Sequence, residues 1–338
     1  VAAQRIDLRT SKAQDQIVEG WLEWSRDTPD IGIQTSEVLR TMSEPTAAAA
    51  RQAAAEQHQR SNGRSAGNGS LMRTAPVALA YLDDPIALVE AAMSISALTH
   101  HDPVAGEACA LWCLAIRDAV LTGELAGPRV GLEYLAEDRR DYWSSVIDAA
   151  ESQQSWEFAN NGWVVAAFQA AWSALFHTPV PADRPELGVF PSMQFRAAVE
   201  RAVRAGADTD TVGAIAGALI GARWGQSAIP SEWLAVVHGY DNATAETLVR
   251  LAIAITRETS PTDWPHVDRM STYGQTERLY TSRLVGGLYM GEQRALQVSA
   301  PPFDAVISLS RIGVKESPVA HPFQLTVRIM DSQEPDKN

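Results

Sequence analysis

Asp208, Asp210 and Thr211 put two carboxylates and a hydroxyl at the head of AGADTDTVGAIAGALIGARWG, just before a run of small, helix-forming residues. Oxygen donors of this kind suit a hard cation such as Mg²⁺ or Mn²⁺ better than zinc, which favours imidazole and thiolate. The positive end of the following helix keeps nearby carboxylates ionised and able to ligate. The plain alternative is that Asp208 or Asp210 caps that helix. Gly213, Gly217 and Gly221 recur on one helix face, where a neighbouring backbone could approach closely and hold the loop rigid. Three donors are too few for a two-metal centre, so further ligands must come from another segment.

A second candidate is SNGRSAGNGSLMRTAPVAL, in which Gly63, Gly67 and Gly69 surround Asn62 and Asn68 between two helical stretches. Backbone amides in such a loop can cradle a phosphate. It is neither a Walker loop, since no Gly-Lys-Ser/Thr follows, nor a dinucleotide fingerprint, since no strand precedes it. An ordinary Asn-Gly turn explains the pattern equally well. Thr99, His100 and His101 lie at a helix junction, where a histidine could hydrogen-bond a ribose or phosphate, or simply cap or pack. Ser70 stands in no G-x-S-x-G elbow, which disfavours a Ser-His-Asp hydrolase.

The elements that must position these residues are helices. From about Ala13 to Glu258 apolar residues recur at spacings of three and four in alanine-rich segments, several of them opened by Asp, Asn, Ser or Thr. Near Ser260-Pro261 the pattern changes, and SRLVGGLYMG, PPFDAVISLSRIG and HPFQLTVRIMDS read as short strands. The expected organisation is an all-α domain over 1–259 and an incomplete α/β segment over 260–338. A hydrophobic content of 46% over 338 residues supports a substantial core. The net charge of -13, from 41 acidic and 28 basic residues, argues against binding a nucleic-acid backbone. No stretch reaches the roughly 18 apolar residues of a membrane span. Cys109 and Cys113, the only cysteines, point to packing residues in a reducing compartment, and a cytoplasmic location is expected. Val1 and the polar ending IMDSQEPDKN read as the ends of a fragment.

In order along the chain, DIGIQTSEVL, GNGSLMRTAPVAL, THHDPVAGEAC, NGWVVAAFQAAWSAL and GADTDTVGAIAGALIGA resemble the motifs of the ADP-ribosylglycohydrolase family, across about residues 15–258. The resemblance implies a compact orthogonal helical bundle that holds two divalent metals, Mg²⁺ or Mn²⁺, at the bottom of a cleft for ADP-ribose. It implies Asp208, Asp210 and Thr211 as metal ligands. Gly67, Asn68, Gly69, Ser70, Met72, Arg73, His100, Asn161 and Gly162 are implied around the ligand. The reaction implied is hydrolysis of the bond between ADP-ribose and its acceptor, a protein or a small-molecule conjugate. The chain departs from the family in one respect: the usual Thr-Asp-Asp ligand cluster is not found before Gln16, and no catalytic acid can be assigned. Either the sequence is a truncated piece of a competent enzyme, the expectation its two ends favour, or it is an impaired relative that binds ADP-ribose or is purely structural. The tail from Leu279 resembles the opening strands of a dual-specificity or tyrosine-phosphatase-like domain. No cysteine follows Cys113, so thiol-phosphate chemistry is not expected of it.

Overall fold

The computed structural model describes residues 1–184 and 187–256, together with the backbone of four short strands beyond them. The chain divides into two compact units, Val1–Arg257 and Glu258–Asn338. Within the first, the described residues form twelve α-helices joined by loops and short 3₁₀ turns, an all-α fold. They are α1 (Ser11–Asp27), α2 (Ile33–Thr41), α3 (Ala47–Arg60), α4 (Ala75–Ala80), α5 (Pro85–Ser96), α6 (Pro103–Thr122), α7 (Glu137–Ser152), α8 (Val164–Phe176), α9 (Gln194–Val203), α10 (Thr209–Trp224), α11 (Ser231–Val236) and α12 (Ala245–Thr256).

Several helix starts follow directly from residue type. Thr46 accepts a bond from the Ala49 amide at the head of α3. Asp84 accepts from the amides of Ile86 and Ala87 before α5, and Asp102 accepts from Val104 before α6. In both of these a proline occupies the first turn, where its missing N–H costs nothing.

The core is built around α6, in which every residue from Ala105 to Ile116 is buried. A helix apolar on all sides belongs in the interior. Helices α4, α5, α8 and α10 pack on it. The Trp112 indole N–H donates to the Ile215 carbonyl on α10 at 3.1 Å, tying the two helices together. Glu107, the buried carboxylate of α6, accepts from both sides of the Arg139 guanidinium at 2.8 and 2.7 Å and from the Trp143 indole at 2.7 Å. A buried charge is tolerable only when it is paired and hydrogen-bonded in this way.

The glycine face of α10 meets side chains rather than a bare backbone. A Cβ built on Gly213 would lie 3.2 Å from Val203 Cγ2, one on Gly217 3.9 Å from Val199 Cγ2, and one on Gly221 3.7 Å from Phe195 Cε2. The three partners are spaced by four on α9 and run opposite to the glycines, so α9 lies antiparallel in a groove along α10. The α9–α10 connection and the first turn of α10 carry the acidic element.

In the second unit, β1 (Leu279–Thr281) pairs antiparallel with β2 (Tyr289–Gly291), Leu279 opposite Gly291. Strand β3 (Val306–Arg311) pairs in parallel with β4 (Gln324–Ile329), Val306 opposite Gln324. Beyond these strand backbones, the phosphatase-like architecture expected of the tail lies outside the described residues. Among the described residues no helix is long and apolar enough to cross a membrane.

Candidate active site

Three loops far apart in sequence are stitched together by two asparagines. The Asn68 amide donates one hydrogen to the Asn161 carbonyl at 2.7 Å and the other to Asp208 Oδ2 at 2.6 Å. Its backbone N–H donates to the Gly162 carbonyl at 3.1 Å, and Val164 N–H returns a bond to Ala66 O at 2.9 Å. Asn161, fully buried, donates from Nδ2 to the Gly206 carbonyl at 2.8 Å and accepts from the Asp208 amide at 2.9 Å. The two peptide groups it grips flank Ala207, which sits at φ 56° in the left-handed region. That conformation costs an alanine roughly 1–2 kcal/mol, and the Asn161 clamp holds it.

The reason for this reversal is visible at Asp208. It occupies the N-cap position of α10, yet its side chain caps no amide. The carboxylate is turned to Asn68 instead, so the simple capping alternative is not realised by Asp208. Asp210 lies exposed in the first turn of α10. Thr211 is buried, and its hydroxyl donates to the sulfur of Met72 at 3.7 Å. These side chains provide oxygen donors of the hard type, with Asp208 Oδ1 not engaged by Asn68. No group of three or more His, Cys, Asp or Glu side chains gathers among the described residues. The donor chemistry thus fits a hard divalent cation, and the shell offered by these three residues is partial.

The remaining residues singled out from the sequence separate into two sets. Gly67 and Gly69 flank the Nε2 edge of the His100 ring: a Cβ on either would stand 3.4 or 3.3 Å from His100 Nε2. Gly67 also bridges to Trp163, while a Cβ on Gly162 would meet nothing within 4 Å. Ser70 faces the core, its oxygen accepting from Ser96 Oγ at 2.9 Å and from Cys109 Sγ at 3.6 Å. The Arg73 guanidinium stacks 4.1 Å from the centre of the Trp21 ring and donates to Thr99 Oγ1 at 2.5 Å and Thr35 Oγ1 at 3.5 Å. Burial pushes the Arg73 pKa down to about 10. Cys109 and Cys113 are buried packing thiols, both pushed up by burial. His101 packs its ring against His58 instead, centroids 5.2 Å apart.

Trp163, 42% exposed beside Gly67, offers an aromatic face at the rim that residue type alone did not single out. Trp21, Gln34 and Thr35 were missed for the same reason. Gln34 donates to the Thr99 carbonyl at 2.9 Å and places its Oε1 over Gly67. Only the helix packing brings them to the loop.

Burial, with the nearby Arg73 charge, pushes the His100 pKa from 6.5 down to about 3. Between those values the unfolded chain binds a proton that the folded chain does not, so stability falls as the pH falls. Urea unfolding of wild type and His100→Gln between pH 4 and 7 is expected to differ in slope by up to ~1.4 kcal/mol per pH unit. Equal slopes would show that His100 is not held neutral.

The structure thus presents, in one helical bundle, a glycine-rich loop, an exposed aromatic beside it and oxygen donors of the hard type at the start of α10. Comparison with known proteins supplies the class. The ADP-ribosylglycohydrolase family model matches residues 2–263, and the chain belongs to that family. It is 28% identical over 169 residues to the ADP-ribosyl-(dinitrogen reductase) glycohydrolase of Rhodospirillum rubrum, a match covering 50% of each protein. The chain thus spans about half the length of that relative. A solved structure described as an ADP-ribosylglycohydrolase-related protein complex superposes with a TM-score of 0.52 at 26% identity, covering 75% of this chain and 78% of that one.

Proposed function

We propose that this protein hydrolyses the glycosidic bond between ADP-ribose and an acceptor, a modified protein or a small-molecule conjugate. The observation that carries the reading is the junction at Asn68, where one amide fixes both the Asn161 turn and the Asp208 carboxylate. It sets the glycine-rich loop and the acidic helix start in one frame, as cleavage next to a bound diphosphate requires.

Asp208, Asp210 and Thr211 would hold Mg²⁺ or Mn²⁺, completed to two metals by ligands from another segment. A bound cation would supply Lewis-acid charge at the ribose hydroxyls and the attacking water. The chain's own part is positional: the amides of Gly67 and Gly69 receive phosphate oxygens, the Asn68 amide being held by the Gly162 carbonyl, and Trp163 gives a flat face to a ring. The two carboxylates at the α10 N-terminus would lie beside the developing oxocarbenium-like centre.

The partial donor set favours one competing reading, an ADP-ribose binder without turnover. The two separate in a single assay series. Metal-loaded protein is incubated with arginine-, serine- and small-molecule-linked ADP-ribose, and binding of free ADP-ribose is measured by calorimetry with and without metal. Release of ADP-ribose is expected. Metal-independent binding without release would replace the hydrolase by the binder, and no binding at all would sink both. In the same series, Asp210→Ala is expected to weaken Mn²⁺ binding by at least ~10-fold while leaving the melting temperature within a few degrees, because it removes an exposed ligand and no packing. Unchanged Mn²⁺ affinity would remove Asp210 from the ligand set.

A further inference from the structure

The floor of the glycine-rich loop is a single imidazole, and its orientation is set from behind. His100 is only 2% exposed. Its Nδ1 lies 2.7 Å from Thr99 Oγ1, and its Nε2 points between Gly67 and Gly69, where it makes no hydrogen bond among the described residues. Thr99 Oγ1 in turn receives an N–H from Arg73 at 2.5 Å.

The hydrogens in this chain follow from pairing every donor. A guanidinium only donates, so the Thr99 oxygen accepts from Arg73. Among the described residues the hydroxyl's own hydrogen finds its acceptor in His100 Nδ1, and making that bond leaves Nδ1 presenting a lone pair. A neutral imidazole with a lone pair on Nδ1 carries its proton on Nε2. A charged ring is opposed by Arg73, a cation bonded to the same threonine, and among the described residues no carboxylate is bonded to either group. Arg73 itself is stacked on Trp21 and bonded to two threonines.

We infer that Arg73 and Thr99 are positioning residues that hold His100 as its Nε2–H tautomer, a neutral donor aimed through the gap between Gly67 and Gly69 at an oxygen of the bound ADP-ribose. The ligand half of this inference rests on the function proposed above. The tautomer half rests on the hydrogen-bond chain alone. The two glycines are then required for access as well as for loop shape, since a methyl group on either would stand against the donor nitrogen. A ligand oxygen arriving at Nε2 would accept the hydrogen the ring holds there, which favours a ligand with an acceptor at this point.

The experiment uses the full chain with ¹⁵N-labelled histidine. In wild type, the His100 ring is expected to show a bare Nδ1 and a protonated Nε2, unchanged from pH 5 to 8. Thr99→Val keeps the side-chain shape and drops the hydroxyl. It is expected to give a mixture of tautomers and a roughly 10-fold weaker Kd for ADP-ribose by calorimetry, the loss of about one hydrogen bond. Thr99→Ser is expected to restore both, which a purely steric role for Thr99 would not predict. A wild-type ring protonated on Nδ1, or a Thr99→Val ring still wholly in the Nε2–H form, overturns the positioning role. If wild type does not bind ADP-ribose, the ligand half fails together with the proposed function, while the ring signals still decide the tautomer.

Discussion

Asn161→Asp is expected to lower the unfolding free energy by about 3 kcal/mol and to abolish ordered cation binding, although it changes one nitrogen to one oxygen. The Asn161 amide donates to Gly206 O and accepts from Asp208 N. An aspartate at neutral pH keeps the second bond and loses the first. It leaves a buried carbonyl facing a carboxylate oxygen, in a position with no exposure to water. An unpaired buried charge is among the few single-site changes that reach this size. The released peptide is the one beside Ala207, so the left-handed turn is expected to relax and carry Asp208 away from Asn68. Urea unfolding and Mn²⁺ calorimetry on the purified variant check the two parts separately. A variant within ~0.5 kcal/mol of wild type would mean that the clamp is not what holds the acidic loop.

The second large effect lies away from the site. Gly127 has φ 78°, and a Cβ there would fall 2.1 Å from Trp172 Cη2 and 2.3 Å from Cζ2. The ring cannot swing aside, because it is buried and its indole N–H is bonded to Glu151 Oε1 at 3.0 Å. Glu151 is itself gripped by Arg129 at 3.1 Å on that oxygen. Gly127→Ala therefore combines an alanine at φ 78°, ψ -168°, a region essentially confined to glycine, roughly 1–3 kcal/mol, with overpacking of a fixed aromatic, about 1–3 kcal/mol. The expected loss is about 4 kcal/mol in urea unfolding. Gly123→Ala is the control for a positive φ without a clash: it has φ 74°, ψ 4° and nothing within 4 Å of the added methyl, so a left-handed strain of roughly 1–2 kcal/mol is all that remains. Equal losses in the two variants would mean that the tight ring contact contributes nothing.

The helices were legible because their signals are local. Thr46, Asp84 and Asp102 each act on amides two or three residues ahead, so residue type and spacing suffice to find them. Asp208 shows where that reasoning stops. Its position reads as a cap, and the fold places it as one, but its carboxylate is taken by Asn68 from the other side of the bundle. No local pattern reports such a partner. The glycine face of α10 was legible as a close-packing surface, while the identity of what packs there, Val203, Val199 and Phe195, depends on the antiparallel turn made by Gly206 and Ala207. Arg73 illustrates the same limit in another form. The sequence places it beside the glycine loop, and Trp21, which stacks on it, comes from α1 and gives no sign of the pairing in its own neighbourhood.

The reach of Asn68 also bears on how the chain is made. Its two side-chain bonds span 93 and 140 residues. During synthesis the earlier loop waits, its amide hydrogens bonded to water, until the α9–α10 turn has left the ribosome. Contacts so distant in sequence repay their loop-closure entropy only after most of the bundle has condensed. The site is therefore expected to form late, after the elements it joins have packed. A small molecule bound there would report on completion of the whole helical unit, which makes protection from proteolysis by that molecule a measure of total folding.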